Sequence, residues 1–211
     1  METGAQTSDV FEKYYRNYLG QIADLDLASV APLLGLESRG KRFTAPFFGQ
    51  AVLIAKEGFV DDSGAAPSYG ACVILARYIL GCPARIHRDE NWCAFRDFKK
   101  ASPFTNVNYF ASDTERSVVT AFAGGIDPLF KAGAKLGGVR EDGVFSYDLV
   151  MRFTALPRIG LPLFNDGDED FPAFGTALFQ KQAEHYLDPE SLAMASAVSV
   201  TYPLNRCRRK T

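Results

Sequence analysis

No stretch of this sequence reaches the roughly 18 apolar residues that a membrane-spanning helix needs; the longest run, Ala71 to Ala76, is broken by Arg77. Met1 to Ser8 has neither the basic start nor the apolar core of a secretory signal, so a cytoplasmic chain with no membrane partner is expected. Charge of one sign is also lacking. A net charge of -2, from 23 Lys+Arg against 25 Asp+Glu, supplies no field to attract a polyanion, and no nucleic-acid partner is expected. The basic cluster Arg206, Arg208, Arg209 and Lys210 stands at the chain end and reads as a solvated tail. The cysteines Cys72, Cys82, Cys93 and Cys207 form no Cys-x-x-Cys pair, and in a reducing compartment they exclude a disulfide framework. The signatures GxSxG, HExxH, GK[ST] and GxGxxG are all missing. Linkers rich in Pro, Gly or Ser are missing too, which favours one domain over residues 1–211, with an ordered core from about 9 to 203 and a basic C-terminal tail.

What the chain does have is core material. Of its 211 residues 47% are hydrophobic and 13% aromatic, more apolar surface than a disordered chain carries. Phe11, Tyr14, Tyr15, Tyr18, Leu19 and Ile22 recur at helical spacing, which predicts an amphipathic helix over 9–23 whose aromatics pack a core. Asp26 and Gly35 bracket a short helix, Leu27 to Leu34, as N-cap and left-handed terminator. Phe43–Phe47 and Ala51–Ala55 are rich in β-formers, and Phe48-Gly49-Gln50 between them predicts a hairpin or two successive strands. After a turn at Asp61-Asp62-Ser63-Gly64, Ser68 to Leu80 reads as a strongly apolar helix at the centre of the core.

Trp92 to Phe98 reads as extended, 112–122 and 127–136 as helices. From Val144 the alternation is clean, with Tyr147, Leu149, Met151 and Phe153 on one face. Leu156-Pro157-Arg158 turns that strand into Ile159–Phe164, and Ala173–Phe179 follows as a third strand. Short connections join antiparallel neighbours, so the expected fold is α+β: an antiparallel sheet that includes a C-terminal three-stranded meander, packed against several helices. A last helix starts at Asp188-Pro189-Glu190.

Carboxylates are concentrated in Asn165-Asp166-Gly167-Asp168-Glu169-Asp170-Phe171-Pro172-Ala173, between two apolar strands. Asp166, Asp168 and Asp170 match the first half of a calcium loop, but Phe171 replaces its glycine and Ala177 its closing glutamate. Cys72, Cys82, His87 and Cys93 match structural zinc in ligand number, yet gaps of nine, four and five residues lack the close knuckle. No metal site is expected. His87 and His185 read as surface histidines. Arg96 and Asp97 lie side by side between aromatics; an inward Arg96 needs an anion, either the acidic turn or a bound carboxylate or phosphate.

Several of these segments, in order, resemble the bacterial and archaeal domain-of-unknown-function 3786 family. They are Val73–Leu80, Trp92-Cys93-Ala94-Phe95-Arg96-Asp97-Phe98, Ala134-Lys135-Leu136-Gly137-Gly138, Leu156-Pro157 leading to Gly167–Ala173, Leu178-Phe179 and Tyr186-Leu187. The likeness implies a fold but no reaction. In that family the Leu-Phe pair is usually followed by Asp, where Gln180 stands here. Some relatives carry an N-terminal four-cysteine iron–sulfur module like that of corrinoid iron–sulfur proteins, which implies a link to anaerobic one-carbon or metal-cofactor metabolism. The first 71 residues here contain no cysteine, so that module is not built in this chain.

The expectation that follows is a non-catalytic binding or accessory protein in which Arg96, Asp168, Glu169 and Asp170 line a pocket for a small polar ligand or cofactor of unspecified identity. The alternative is an enzyme that uses a carboxylate of the acidic turn as general acid or base, with or without a divalent metal.

Overall fold

The computed structural model describes residues 3–40, 42–55, 57–98, 114–120, 125–143, 147–166 and 174–208. Helix α1 (Thr3–Ala23) starts earlier than the aromatic periodicity indicates. Tyr15, Tyr18 and Ile22 turn toward the core, whereas Tyr14 is 57% exposed. The seam is therefore narrower than the run of tyrosines suggests. Helix α2 (Leu27–Leu34) has the expected ends: the Asp26 carboxylate accepts from the Ala28 N–H, and Gly35 sits at φ 72°.

Four strands form the first antiparallel sheet: β1 (Glu37–Arg39), β2 (Arg42–Phe47), β3 (Gln50–Ala55) and β4 (Gly58–Val60). Phe47 pairs with Gln50, so Phe48 and Gly49 alone make the β2–β3 turn, both with positive φ, at 44° and 72°. The left-handed conformation costs a non-glycine residue about 1–2 kcal/mol, and burial of the Phe48 ring offsets it. That ring stands edge-on to Phe47 at 5.0 Å and packs near Phe153. The Phe48 N–H donates to the Ala155 carbonyl at 3.3 Å, which ties the first sheet to the second.

Helix α3 (Tyr69–Leu80), capped by the Ser68 hydroxyl, is the buried centre anticipated from its composition. Ile74, Leu75 and Ile79 have no exposed surface, and truncating such a residue to alanine costs about 2–5 kcal/mol. The Tyr78 hydroxyl donates to the Leu34 carbonyl at 2.6 Å, so the end of α2 is satisfied inside the core.

The second sheet has the order β5-β9-β8-β7-β6, all neighbours antiparallel: β5 (Trp92–Ala94), β6 (Val139–Arg140), β7 (Leu149–Leu156), β8 (Ile159–Asp166) and β9 (Phe174–Gln180). Strands β7, β8 and β9 are the anticipated meander. Leu149, Met151 and Phe153 face the core, while Arg152 and Thr154 are exposed on the other side. Helices α4 (residues 114–120) and α5 (Ile126–Ala134) lie between β5 and β6 in sequence. Helix α6 (Pro189–Arg208) is preceded by Asp188, whose carboxylate accepts from the Ser191 N–H at 2.9 Å.

One element departs from expectation. The extended segment stops at Ala94, and Phe95–Asp97 is a 3-10 turn. The Asp97 carboxylate accepts from the Ala94 N–H at 3.1 Å and closes the turn locally. Phe95 and Phe98 are both buried; a spacing of three puts them on one side of a 3-10 turn, whereas a strand would point them apart.

Candidate functional site

A cleft of about 400 Å³ opens at the end of the second sheet where β7 turns into β8. That volume suits a small metabolite. On the exposed side of the sheet Thr154 lies opposite Gly160, and at the neighbouring pair Trp92 lies opposite Gln180. The Gly160 N–H donates to Gln180 Oε1 at 3.1 Å, so a side-chain amide continues the cross-strand bonding where the β8–β9 ladder has ended. A Cβ on Gly160 would stand 2.9 Å from Trp92 Cη2 and 3.0 Å from Gln180 Cδ. The floor is therefore glycine because Trp92 and Gln180 both lean over it.

The opposite wall is the segment from Gly81 to Asn91, which has no regular structure yet is held at many points. The His87 N–H donates to the Tyr186 hydroxyl at 3.0 Å, the Lys181 N–H to the Asn91 carbonyl at 2.8 Å, and the Gln182 N–H to the Asp89 carbonyl at 2.9 Å. Gln182, only 6% exposed, uses its whole amide: Oε1 accepts from the Asp89 N–H, and Nε2 donates to the Arg158 carbonyl and to Gln180 Oε1. It ties the wall to the β7–β8 turn. The His87 and His185 rings stack with centroids 3.7 Å apart. Burial, then the charges of His185 and Arg85, holds His87 below the ordinary imidazole range.

Three arginines and one glutamate line the cleft: Arg88, Arg152, Arg158 and Glu90. They are not equivalent. Arg158 Nη2 donates to the Pro32 carbonyl at 3.2 Å, and its guanidinium lies against Gly35, so it serves the C-terminal end of α2, where a cation is favoured. Its Nε is buried without a hydrogen-bond partner among the described residues. Arg152 Nε bonds Glu141 at 2.5 Å, and its two terminal nitrogens have no hydrogen-bond partner among the described residues. Arg88 is exposed and has no ion pair among the described residues.

Segments highlighted by the resemblance border this cleft. Leu156 and Pro157 line it, Gln180 follows Leu178-Phe179 into it, and Tyr186 holds its His87 wall. A family model, that of a domain of unknown function (DUF3786), matches residues 26–202. The chain belongs to the DUF3786 family. The DUF3786 match begins at Asp26, the cap of α2, and so leaves α1 before it. No curated protein and no solved structure matches the chain.

Arg96, singled out from sequence, lies away from this cleft, whereas His87 lines it. Arg96 is exposed on the 3-10 turn, past Ala94, which pairs with Leu178. Its segment thus runs toward the Phe174 end of β9, away from Gln180 and the cleft. Strands β8 and β9 pair out to Asp166 opposite Phe174; Asp168, Glu169 and Asp170 lie outside the described residues. Cys72 is buried in α3, and the Cys93 thiol, pushed up to about 11 chiefly by burial, faces the Phe179 carbonyl. Among the described residues no cluster of three or more His, Cys, Asp or Glu could hold a metal, and no helix is long and apolar enough to cross a membrane.

Sequence reading missed Arg88, Arg152, Gly160, Gln180 and Gln182 as one site. A faint signal exists, since Gln180 departs from the acid usual at its position and Arg85–Asn91 is a polar run between a core helix and a strand. Neither says that residues 87–90 fold over residues 180–186.

Proposed function

We propose that this protein is a cytoplasmic, non-catalytic binding or accessory protein that holds a small polar ligand in the cleft between Gly160, Gln180 and the His87–Glu90 wall. The observation that carries the reading is the preorganised wall: Gln182, Tyr186 and Lys181 fix an irregular segment over a polar floor, in a volume suited to a metabolite. Holding such a segment open over a glycine floor favours binding, and its main titratable group, His87, is stacked on His185 rather than presented to a substrate. The small net charge supports a small-molecule partner over nucleic acid.

Thermal-shift screening against a broad library of polar metabolites tests this. At least one compound should stabilise the wild type and fail to stabilise Thr154→Trp, which fills the cleft from an exposed strand position. A library that leaves the wild type unmoved, or a shift retained in Thr154→Trp, would overturn the proposal.

A second reading keeps Arg96 together with Asp168, Glu169 and Asp170 as a site at the far end of the same sheet. It is supported by the exposure of Arg96 and by the direction in which its segment runs, toward Phe174, where the acidic segment joins β9. An Arg96→Ala variant that loses a ligand-induced shift retained by Thr154→Trp would favour it, and turnover lost in Glu169→Gln with folding intact would make that site catalytic.

A further inference from the structure

Building on the cleft-binding reading, we propose that the ligand enters as an oxyanion, through a carboxylate or phosphoryl group received by Gln180 Nε2, Arg88 and the free end of Arg152. The orientation of Gln180 carries the argument. Its Oε1 already accepts two hydrogen bonds, from the Gly160 N–H at 3.1 Å and from Gln182 Nε2 at 3.0 Å. Those bonds assign the amide: the oxygen faces the sheet and the NH2 group faces the other way, with no acceptor among the described residues. Gln182 is spent as well, its oxygen on Asp89 and its nitrogen on Arg158 and Gln180.

The Gln180 oxygen is therefore fully used and the Gln182 oxygen is engaged by Asp89, and the one carboxylate in the lining is Glu90. Against that single carboxylate stand the Gln180 NH2, the Arg88 guanidinium, which has no ion pair among the described residues, and the Arg152 nitrogens not used on Glu141. Arg158 adds positive charge although its Nη2 donor is committed to α2. A lining that offers charged donors and net positive charge favours an anion; guanidinium and amide NH2 groups match the paired oxygens of a carboxylate or phosphoryl group. Cations meet a lining of three arginines against one glutamate.

Trp92 is the only tryptophan of the chain and leans over Gly160 beside Gln180, so its emission reports directly on this spot. Titrations at constant ionic strength with succinate, inorganic phosphate, succinamide and 1,4-diaminobutane are followed by Trp92 fluorescence. Succinate or phosphate should give a saturable change and the neutral diamide and the diamine none, and the preferred one of the two anions identifies the group. Arg88→Glu and Gln180→Glu should each weaken the anion at least about tenfold, the loss expected when a charge-assisted donor becomes a repelling acceptor. Arg88 is exposed, so its variant remains informative if Gln180→Glu does not fold.

If neither anion is bound, or if anion binding is unchanged in both variants, the oxyanion assignment falls. If the diamide or diamine binds as well as the anions, the assignment falls while the cleft-binding reading stands. The cleft itself fails only on the Thr154→Trp criterion, which does not depend on ligand charge.

Discussion

Gly49 and Gly137 meet backbone to backbone: a Cβ on Gly49 would lie 2.9 Å from Gly137 Cα, and a Cβ on Gly137 would lie 2.9 Å from Gly49 Cα. Both have positive φ, at 72° and 73°. The β2–β3 turn thereby docks directly on the chain just before β6. Gly49→Ala should destabilise by about 2–4 kcal/mol, the left-handed cost plus displacement of backbone that cannot swing aside. Gly64→Ala is the control, with φ 81° and open space around it, and should lose only about 1 kcal/mol. Urea denaturation measures both, and Trp92 fluorescence and far-ultraviolet circular dichroism should report one shared transition. Equal losses in the two variants would refute the close-approach account.

Gln182→Met keeps the volume of the side chain and removes every hydrogen bond its amide makes. The Asp89 N–H and the Arg158 carbonyl lose their partners, so the variant should be about 2–4 kcal/mol less stable. Amide exchange at Asp89 should accelerate more than exchange in α3. Unchanged protection at Asp89 would mean that the wall is held by other contacts.

Thr44 sits in β2, 4% exposed, and its Oγ1 has no hydrogen-bond partner among the described residues. Thr44→Val replaces a buried, unsatisfied hydroxyl by a methyl of similar size, in a strand that suits valine. Stability should rise, by about 1 kcal/mol, as read from the urea midpoint. A loss of that size would show that the hydroxyl has a partner.

Two acid transitions should separate on the pH scale. His87 is held below the usual imidazole range by burial and by His185 and Arg85, so the unfolded chain takes up the proton first. Its contribution is complete above about pH 6.5 and is lost as pH falls through the lowered native value; His87→Gln should flatten that part of the curve. Asp188 is also depressed: burial opposes the shift, but the Ser191 N–H and Arg77 outweigh it. Its contribution is complete above about pH 3.8 and disappears further into acid. Denaturant midpoints measured stepwise from about pH 7.5 to about pH 3 resolve the two, and a flat profile between about pH 6.5 and about pH 5 would contradict the histidine assignment.

Much of the framework was legible because it is encoded locally. Asp26 and Gly35 mark α2 by cap chemistry, the apolar composition of residues 68–80 marks α3, and the alternation at Leu149, Met151 and Phe153 marks β7 and its meander. Strands β1, β4 and β6 escaped notice because two or three residues carry no period of their own and gain order only from a neighbour. The 3-10 turn at Phe95–Asp97 was misread as strand because Asp97 competes for the Ala94 N–H, an interaction that an alternation pattern does not contain. The cleft was illegible for a related reason: its wall and floor are separated by roughly ninety residues and joined through single amides such as Gln182 and Gln180. Asp168, Glu169 and Asp170 lie outside the described residues, and adjacency in sequence does not by itself bring carboxylates together in space.

The pinned segment from His87 to Asn91 also separates two ways of counting order. Circular dichroism would register it as coil, since it lacks repeating backbone angles, whereas its His87 and Asp89 amides donate to Tyr186 and Gln182 at 3.0 and 3.1 Å. A protease that cuts irregular surface chain should pass over this stretch, and a truncation that removed residues 180–186 would expose it to cleavage.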